Sequence, residues 1–213
     1  ILLIMNSIRS ATTMFNPKNM KYSKFIRNGW RRFLNTNTRS VHYTNVDGPQ
    51  KETIITSLDY PTNRCRGVIT NKTISVLGYG PQGKSQALNL KDKNLKVILG
   101  LRKDGASWKN AIRDGWYPGI DLFEIDEATY RGKIVKYLLS DSGQINQWST
   151  VKDNLHMNDT LYFSHGFGIH YYDYTKINPP EDINVVMVSP KCSGKTVRRN
   201  FLNNKGFASS YAV

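Results

Sequence analysis

The chain has 213 residues, of which 39% are hydrophobic, and this length suits one domain of ordinary size with an extension. No apolar run approaches the ~18 residues of a membrane-spanning helix, which argues against an integral membrane protein. The two cysteines, Cys65 and Cys192, are too few for a disulfide framework and lack metal-ligand spacing, which fits a reducing compartment. A net charge of +14 could indicate a nucleic-acid partner, depending on where the charge lies.

The basic charge is concentrated at the N-terminus. Residues 1–46 hold eight Lys or Arg and no Asp or Glu, which leaves 22 basic and 16 acidic residues for the remainder. From Tyr22 to Leu34, apolar residues recur at helical spacing on one side and basic residues fall largely elsewhere. An acid-free basic amphipathic helix is typical of a mitochondrial transit peptide, so residues 1–46 are predicted to be a transit peptide or disordered leader. A basic tail on nucleic acid and a membrane-surface helix remain alternatives.

Residues 47–213 have mixed charge and read as one α/β domain. Apolar strand candidates alternate with helix-compatible segments near residues 82–89, 107–113 and 145–155, which predicts a parallel sheet covered on both faces. The strands are predicted at residues 73–77, 96–100, 134–139, 160–163 and 185–188. The expected fold class is therefore a doubly wound, Rossmann-like α/β sheet. This body contains no aromatic-basic RNA motif, so nucleic acid is not the expected partner.

A glycine-rich turn follows the first of these strands and opens a helix-compatible stretch. Its G-x-G-x-x-G spacing is a dinucleotide-binding fingerprint: the glycines allow a tight turn, close approach of a pyrophosphate and close packing of helix on strand. The helix N-terminus adds free N–H groups and partial positive charge. The candidate cofactor-binding residues here are Gly78, Tyr79, Gly80, Pro81, Gln82 and Gly83.

Basic residues at the end of the next strand favour NADPH over NADH. An NAD-dependent enzyme carries a carboxylate for the ribose 2′-hydroxyl near this place, whereas this chain has Arg102 and Lys103, followed by Ser107. A guanidinium fork and a hydroxyl suit a 2′-phosphate. The alternative is a solvated strand end, with Asp104 partly offsetting the positive field.

Six segments in a fixed order resemble the N-terminal domain of ketol-acid reductoisomerase (acetohydroxyacid isomeroreductase), most closely the fungal mitochondrial form. The resemblance covers about residues 50 to 213. Beside the glycine loop, the segments that carry it are residues 101–108, 138–141, 163–167, 190–194 and 209–213. The family implies a two-step reaction in valine, isoleucine and leucine synthesis. A magnesium-dependent alkyl migration in 2-acetolactate or 2-aceto-2-hydroxybutyrate is followed by reduction with NADPH to a dihydroxy acid.

The resemblance also implies roles for residues that follow the later strands. His165, in the F-S-H-G setting, and Lys191, in the P-K setting, would line the active site. His165 would exchange protons with the ketol, and Lys191 would steady developing negative charge. Ser140 and Asp141 would border the cofactor. From the residues alone, a single histidine after a strand, such as His165, is more often a hydrogen-bonded turn residue than a catalyst. Ser140 and Asp141 could equally form a strand-end turn.

Three departures from the family limit the expected activity. Pro81 stands where the family has serine and offers no N–H to a phosphate, and Cys192 stands where the family has glycine. The family binds two Mg²⁺ ions through carboxylates of a C-terminal helical domain, and no Asp or Glu follows Asp182 here. No metal ligands are therefore assigned, and the 213 residues are expected to be an inactive, C-terminally truncated fragment. A non-catalytic paralogue in a mitochondrial assembly is the alternative, and a homo-oligomer is possible if the helical domain exists.

The run Ser193-Gly194-Lys195-Thr196 matches the end of a Walker phosphate loop. The required glycine five residues before Gly194 is replaced by Ser189, and the motif belongs after the first strand of its own fold. The match is therefore interpreted as chance.

Overall fold

A computed structural model describes residues 39–45, 48–55 and 62–213. The predicted amphipathic helix between Tyr22 and Leu34 lies outside these residues. Strands β1 (Arg39–Asn45) and β2 (Gly48–Ile54) form an antiparallel hairpin in which Asn45 pairs with Gly48. The hairpin overlaps the last residues of the segment assigned to the leader, whose boundary stays a prediction.

The remaining strands form one seven-stranded sheet of the predicted class. Its spatial order is β5-β4-β3-β6-β7-β8-β9, and every neighbouring pair is parallel except β8 with β9. Strands β3 to β8 have the Rossmann order, in which the order of the strands reverses between the adjacent strands β3 and β6. The strands are β3 (Ile74–Leu77), β4 (Val97–Gly100), β5 (Leu122–Phe123), β6 (Ile134–Tyr137), β7 (Thr160–Phe163), β8 (Asn184–Pro190) and β9 (Ser209–Ala212). The doubly wound α/β prediction is confirmed.

Eight helices are described, and the longer ones cover both faces of the sheet. Residues of α2 and α3 pack on one face, and residues of α4 and α5 pack on the other. The helices are α1 (Thr62–Ile69), α2 (Pro81–Lys91), α3 (Ala106–Arg113), α4 (Ile125–Arg131), α5 (Asp141–Asp153), α6 (Phe167–His170), α7 (Tyr172–Thr175) and α8 (Gly194–Leu202).

The sequence pattern located the five central strands to within two residues but was less accurate for the helices. The structure starts α5 at Asp141, four residues before the prediction, because the Ser140 hydroxyl accepts a hydrogen bond from the Gly143 amide at 3.3 Å and caps the helix. Helices α4 and α8 were not predicted. The α8 segment lacks a long apolar stripe, and it is capped by Ser193, whose Oγ accepts from the Thr196 amide at 3.3 Å.

The core has one apolar layer on each face of the sheet. Strands β3, β4 and β6 are buried on both faces, as the continuous apolar runs predicted. The layer under α2 and α3 includes Val76, Leu99, Trp108 and Trp116. The opposite layer includes Leu77, Tyr137, Trp148 and Phe163. This sandwich fixes the carboxyl ends of the strands, where the candidate site lies. Of the helices that the structure describes, none has both the length and the apolar composition of a membrane span.

Candidate dinucleotide site

The three glycines of the phosphate loop meet different surroundings. Gly78 has a φ of +100°, and a Cβ there would lie 2.7 Å from the Leu138 carbonyl oxygen, so the loop turns tightly against the end of β6. A Cβ on Gly83 would lie 2.2 Å from the Gly78 carbonyl oxygen, so α2 packs closely on its strand. A Cβ on Gly80 would meet nothing within 4 Å. The loop is a cradle whose open position is the second glycine, where a pyrophosphate would approach.

Helix α2 begins at this loop, with Gly80 at its N-cap and Pro81 at its first position. Proline is tolerated there because the N–H it lacks would have no partner within the helix. The first intrahelical bond runs from the Lys84 amide to the Gly80 carbonyl at 2.9 Å. The amides of Gln82 and Gly83 therefore remain the first-turn donors for an anion.

The side chains of Tyr79 and Gln82 are committed to other parts of the protein. The Tyr79 hydroxyl donates to Asp114 Oδ2 at 2.9 Å and accepts from Trp116 Nε1 at 3.0 Å. Burial and the bond to Asp114 raise the pKa of Tyr79 well above its usual value. Gln82 Nε2 donates to the Cys192 carbonyl at 3.0 Å. Both residues therefore contribute main-chain groups to the phosphate loop, while these side-chain groups bond elsewhere.

The basic segment after β4 leads into the N-terminus of α3. Asp104 adopts the left-handed conformation at φ 57°, and Gly105, the N-cap of α3, donates its N–H to the Arg102 carbonyl at 3.2 Å. A Cβ at Gly105 would lie 3.6 Å from Arg102 Nε, so the Arg102 side chain folds back over the start of α3. Ser107 is the second residue of this helix. Arg102, Ser107 and the first-turn amides of α3 thus share one neighbourhood, and Lys103 is exposed beside them.

Asp141 and His165 come together at the ends of two neighbouring strands, and Ser140 directly precedes Asp141. Asp141 opens α5 after β6, and His165 follows β7. The Asp141 Oδ1 atom lies 3.4 Å from His165 Nε2, and about half of each side chain is exposed. The sequence pattern did not predict this pairing, because the two residues are 24 positions apart and meet only at the sheet edge. Ser140 serves as the cap of α5, the turn role that the residues alone also allowed.

Lys191 follows the next strand, β8, on the same edge. Its main-chain N–H donates to the Ala208 carbonyl at 2.9 Å, and its side chain is exposed. The turn after Lys191 packs directly on the phosphate loop. A Cβ on Gly194 would lie 1.9 Å from the Pro81 carbonyl oxygen, so the two main chains are in close contact. Burial raises the pKa of the Cys192 thiol, which favours its protonated form. Ser193 caps α8 and Gly194 packs on Pro81, so these two residues of the Walker-like run have structural roles.

A buried hydrogen-bond network that the sequence pattern did not predict lies beneath the site. The Tyr162 hydroxyl lies 2.9 Å from the Val188 carbonyl and 3.3 Å from Gln86 Oε1, and Gln86 Nε2 donates to Gln82 Oε1 at 3.1 Å. Together with the hydrogen bond from Gln82 to the Cys192 carbonyl, this network connects β7 through α2 to the turn after Lys191. Two glutamines four residues apart on a helix were the only sequence signal.

The described residues contain no group of three or more His, Cys, Asp or Glu side chains that could hold a metal ion.

The chain matches the family model of the acetohydroxy acid isomeroreductase NADPH-binding domain over residues 68–213. It is 51% identical over 166 residues to ketol-acid reductoisomerase (NAD(+)) of Desulfosudis oleivorans, covering 78% of this chain and 47% of that protein. It is 47% identical over 176 residues to the mitochondrial ketol-acid reductoisomerase of Saccharomyces cerevisiae, covering 83% of this chain and 44% of that protein. The chain therefore spans about half the length of the curated relatives it matches.

A solved structure shares the fold. The NADH-preferring ketol-acid reductoisomerase from an uncultured archean superposes with a TM-score of 0.62 at 36% identity. The match covers 68% of this chain and 44% of that chain.

Proposed function

The chain belongs to the acetohydroxy acid isomeroreductase family, and from this premise we propose that it is the NADPH-binding part of a mitochondrial ketol-acid reductoisomerase. The single observation that carries the proposal is the phosphate loop, in which Gly78 and Gly83 have no room for a side chain and Gly80 faces open space. Such a loop at the point where the strand order reverses is built for a dinucleotide.

NADPH is the proposed cofactor, and the support for it is local. One relative is named for NAD(+) and one solved structure as NADH-preferring, so family membership alone does not select the nucleotide. In this chain Arg102 folds over the start of α3, which brings a guanidinium, the Ser107 segment and helix amides to one place. A 2′-phosphate there would receive charge-assisted hydrogen bonds and a favourable helix dipole. Lys103 adds a cation beside it.

His165 and Lys191 are the proposed catalytic residues, on the edge where the nicotinamide of a bound cofactor would lie. NADPH would supply the hydride. With Nε2 of His165 facing the Asp141 carboxylate, Nδ1 is the nitrogen left to take up or return a substrate proton. Asp141 would hold the ring and stabilise its protonated form. The Lys191 ammonium would steady negative charge on a substrate oxygen.

The proposed substrates are acetohydroxy acids, 2-acetolactate and 2-aceto-2-hydroxybutyrate, in the synthesis of branched-chain amino acids. This proposal rests on the family of the chain. No magnesium ligand is assigned to the described residues.

Mitochondrial residence is proposed from the eight basic and no acidic residues in positions 1–46, together with the mitochondrial relatives. Fused to a fluorescent reporter, residues 1–46 should direct it to mitochondria. A matched fusion with Arg27, Arg31 and Arg32 changed to Glu should not be imported, because import signals need positive charge. A cytosolic or nuclear signal from the unaltered fusion would contradict the proposal.

The cofactor proposal is tested by titrating the 213-residue chain with NADPH and NADH. NADPH should bind more tightly, and Arg102→Asp should weaken NADPH binding by about 2 kcal/mol, roughly thirtyfold, while changing NADH binding little. Lys109→Asp, at an exposed position of α3, is the control for charge reversal. Equal affinity for both nucleotides in the unaltered chain would contradict the assignment. Weak binding of both would implicate Pro81, and Pro81→Ser should then restore affinity.

A further inference from the structure

Gln144 is a buried polar residue in the first turn of α5, and it is 2% exposed. Its side-chain Nε2 donates to the carbonyls of Tyr137 and Leu139, each at 3.2 Å. The Tyr137 hydroxyl donates to the main-chain carbonyl of Gln144 at 2.5 Å. One buried side chain therefore binds both of the carbonyls that flank Leu138 at the end of β6.

Leu138 belongs to the wall against which the phosphate loop turns. A Cβ on Gly78 would lie 2.7 Å from the Leu138 carbonyl oxygen and 3.0 Å from the Leu139 nitrogen. The Leu138 carbonyl thus faces the glycine loop, while the carbonyls before and after it accept from Gln144. Loss of the Gln144 amide would leave two carbonyls without this donor and would loosen the wall of the loop.

The oxygen of the same side chain has no partner. Gln144 Oε1 is buried and accepts no hydrogen bond from any residue that the structure describes. Turned the other way, the amide would place Oε1 against two carbonyl oxygens, so its orientation is fixed. A Cβ on Gly168 would lie 3.2 Å from Oε1, which shows that the oxygen faces the first turn of α6. An unpaired buried acceptor is costly, so this oxygen marks a position where a donor belongs.

Gly168 carries a matching donor. The residue is buried, and its N–H has no acceptor within the described part of the chain. Its carbonyl accepts from the Thr175 hydroxyl at 2.6 Å, and Thr175 Oγ1 accepts from the Ile177 amide at 3.2 Å. Helices α6 and α7 are therefore joined as one unit, which begins two residues after His165.

We propose that Gln144 is a positioning residue of the cofactor site: its nitrogen fixes the end of β6 against the phosphate loop, and its oxygen accepts the Gly168 N–H when NADPH is bound. The inference rests on the proposed function. A nicotinamide at this sheet edge would contact the segments that carry Asp141 and His165, and Gln144 lies between the same two segments. A ligand favours the state in which it makes the better contacts, and pairing two buried free groups adds to that preference. The same movement of α6 sets the position of His165 relative to Asp141.

Titration of the 213-residue chain with NADPH tests the role of the nitrogen. Gln144→Met keeps an unbranched side chain of similar volume and removes both polar groups, and it should weaken NADPH binding about tenfold. Gln147→Met is the matched control. It makes the same change three residues further along α5, where the side chain has no hydrogen bond to any described residue, and it should leave NADPH affinity unchanged.

NMR of the chain with ¹⁵N-labelled glycine tests the role of the oxygen. Of the 16 glycine signals, the Gly168 signal is identified by its loss in Gly168→Ala. With NADPH, the Gly168 amide of the unaltered chain should shift downfield and exchange its proton at least ~tenfold more slowly, because a new hydrogen bond protects it. In Gln144→Met neither change should occur. A side chain that only stabilises the fold would lower the unfolding temperature without altering this response.

Gly168→Ala keeps the Gln144 amide bonds and adds a methyl group 3.2 Å from Oε1, so it should also weaken NADPH binding and remains informative if Gln144→Met does not fold. Unchanged NADPH affinity in Gly168→Ala and in folded Gln144→Met would overturn the inference. So would a Gly168 amide that exchanges equally fast with and without NADPH. The proposed function would stand in both cases, because the unaltered chain still binds NADPH. Absence of NADPH binding by the unaltered chain would overturn the proposed function and this inference with it.

Discussion

Lys136 is buried, although lysine side chains are almost always exposed in folded proteins. It lies in β6, is 3% exposed, and its Nζ lies 4.1 Å from the centroid of the Tyr162 ring. Burial lowers the pKa of this amine from 10.5 to about 7. The aromatic face offsets part of the cost of burying the charge, but no carboxylate pairs with Lys136 among the described residues. Lys136 is therefore a source of pH-dependent stability.

Because the pKa of Lys136 is lowered in the folded state, the unfolded chain binds more protons between about pH 7 and 10.5. Stability should rise with pH across this window, by at most ~1.4 kcal/mol per pH unit from this group. Below pH 7 both states are protonated and the full penalty applies. Lys136→Met should be more stable than the unaltered chain at pH 6.5, and the difference should shrink towards pH 10.

Urea unfolding at a series of pH values measures this difference. Lys152→Met, on the exposed surface of α5, is the control and should change stability equally at every pH. Plots of unfolding free energy against pH that run parallel for the Lys136→Met variant and the unaltered chain would contradict the prediction. The pKa of the amine would then be the same in the folded and unfolded states.

At the scale of elements, the phosphate loop is held by contacts between main chains. Helix α2 packs on β3 through Gly83, and α8 packs on the start of α2 through Gly194. The bond from Gln82 to the Cys192 carbonyl joins the same two helix starts. The turn that carries Lys191 is therefore fixed to the loop that would hold the pyrophosphate. This arrangement keeps the proposed substrate side and cofactor side in one rigid unit.

Two alanine substitutions in one loop should separate packing from binding. A methyl group on Gly83 would lie 2.2 Å from the Gly78 carbonyl oxygen, so Gly83→Ala has to shift α2 or β3 and should destabilise the fold by ~3 kcal/mol or more. A methyl group on Gly80 would meet nothing within 4 Å, and φ there is −71°. Gly80→Ala should therefore keep its stability but lose NADPH affinity, because the methyl occupies the phosphate approach.

Thermal unfolding and NADPH titration of both variants distinguish these effects. Equal loss of stability in the two would mean that the open space at Gly80 is closed in solution. Unchanged NADPH affinity in Gly80→Ala would mean that the phosphates lie elsewhere.

For the whole molecule, we expect activity to require residues that the relatives have beyond the matched region. The chain covers 44% of the S. cerevisiae relative, so a fusion to the remaining part of that protein supplies the rest. With NADPH and magnesium, the fusion should convert 2-acetolactate, whereas the 213 residues by themselves should not. His165→Gln and Lys191→Met in the fusion should each lower kcat at least ~100-fold, because a proton carrier or a stabilising charge is lost.

Ser149→Ala, on the exposed surface of α5, is the control for the fusion and should keep full activity. Turnover by the 213-residue chain alone would contradict the need for the remaining part. A folded but inactive fusion that still binds NADPH would favour a non-catalytic paralogue.

The fold class, the glycine loop and the basic residues after β4 were all predictable from the amino-acid pattern. These features are local: buried strands are continuous apolar runs, and a phosphate loop needs glycines at fixed spacing. The order of the sheet confirms the fold class. Only the tertiary structure brought Asp141 to His165, Gln82 to the Cys192 turn and Gly194 to Pro81. These partners are 24 to 113 positions apart, and a pattern read along the chain carries no information on which helix starts meet at a sheet edge. The same holds for the burial of Lys136, which arises only when distant segments pack together.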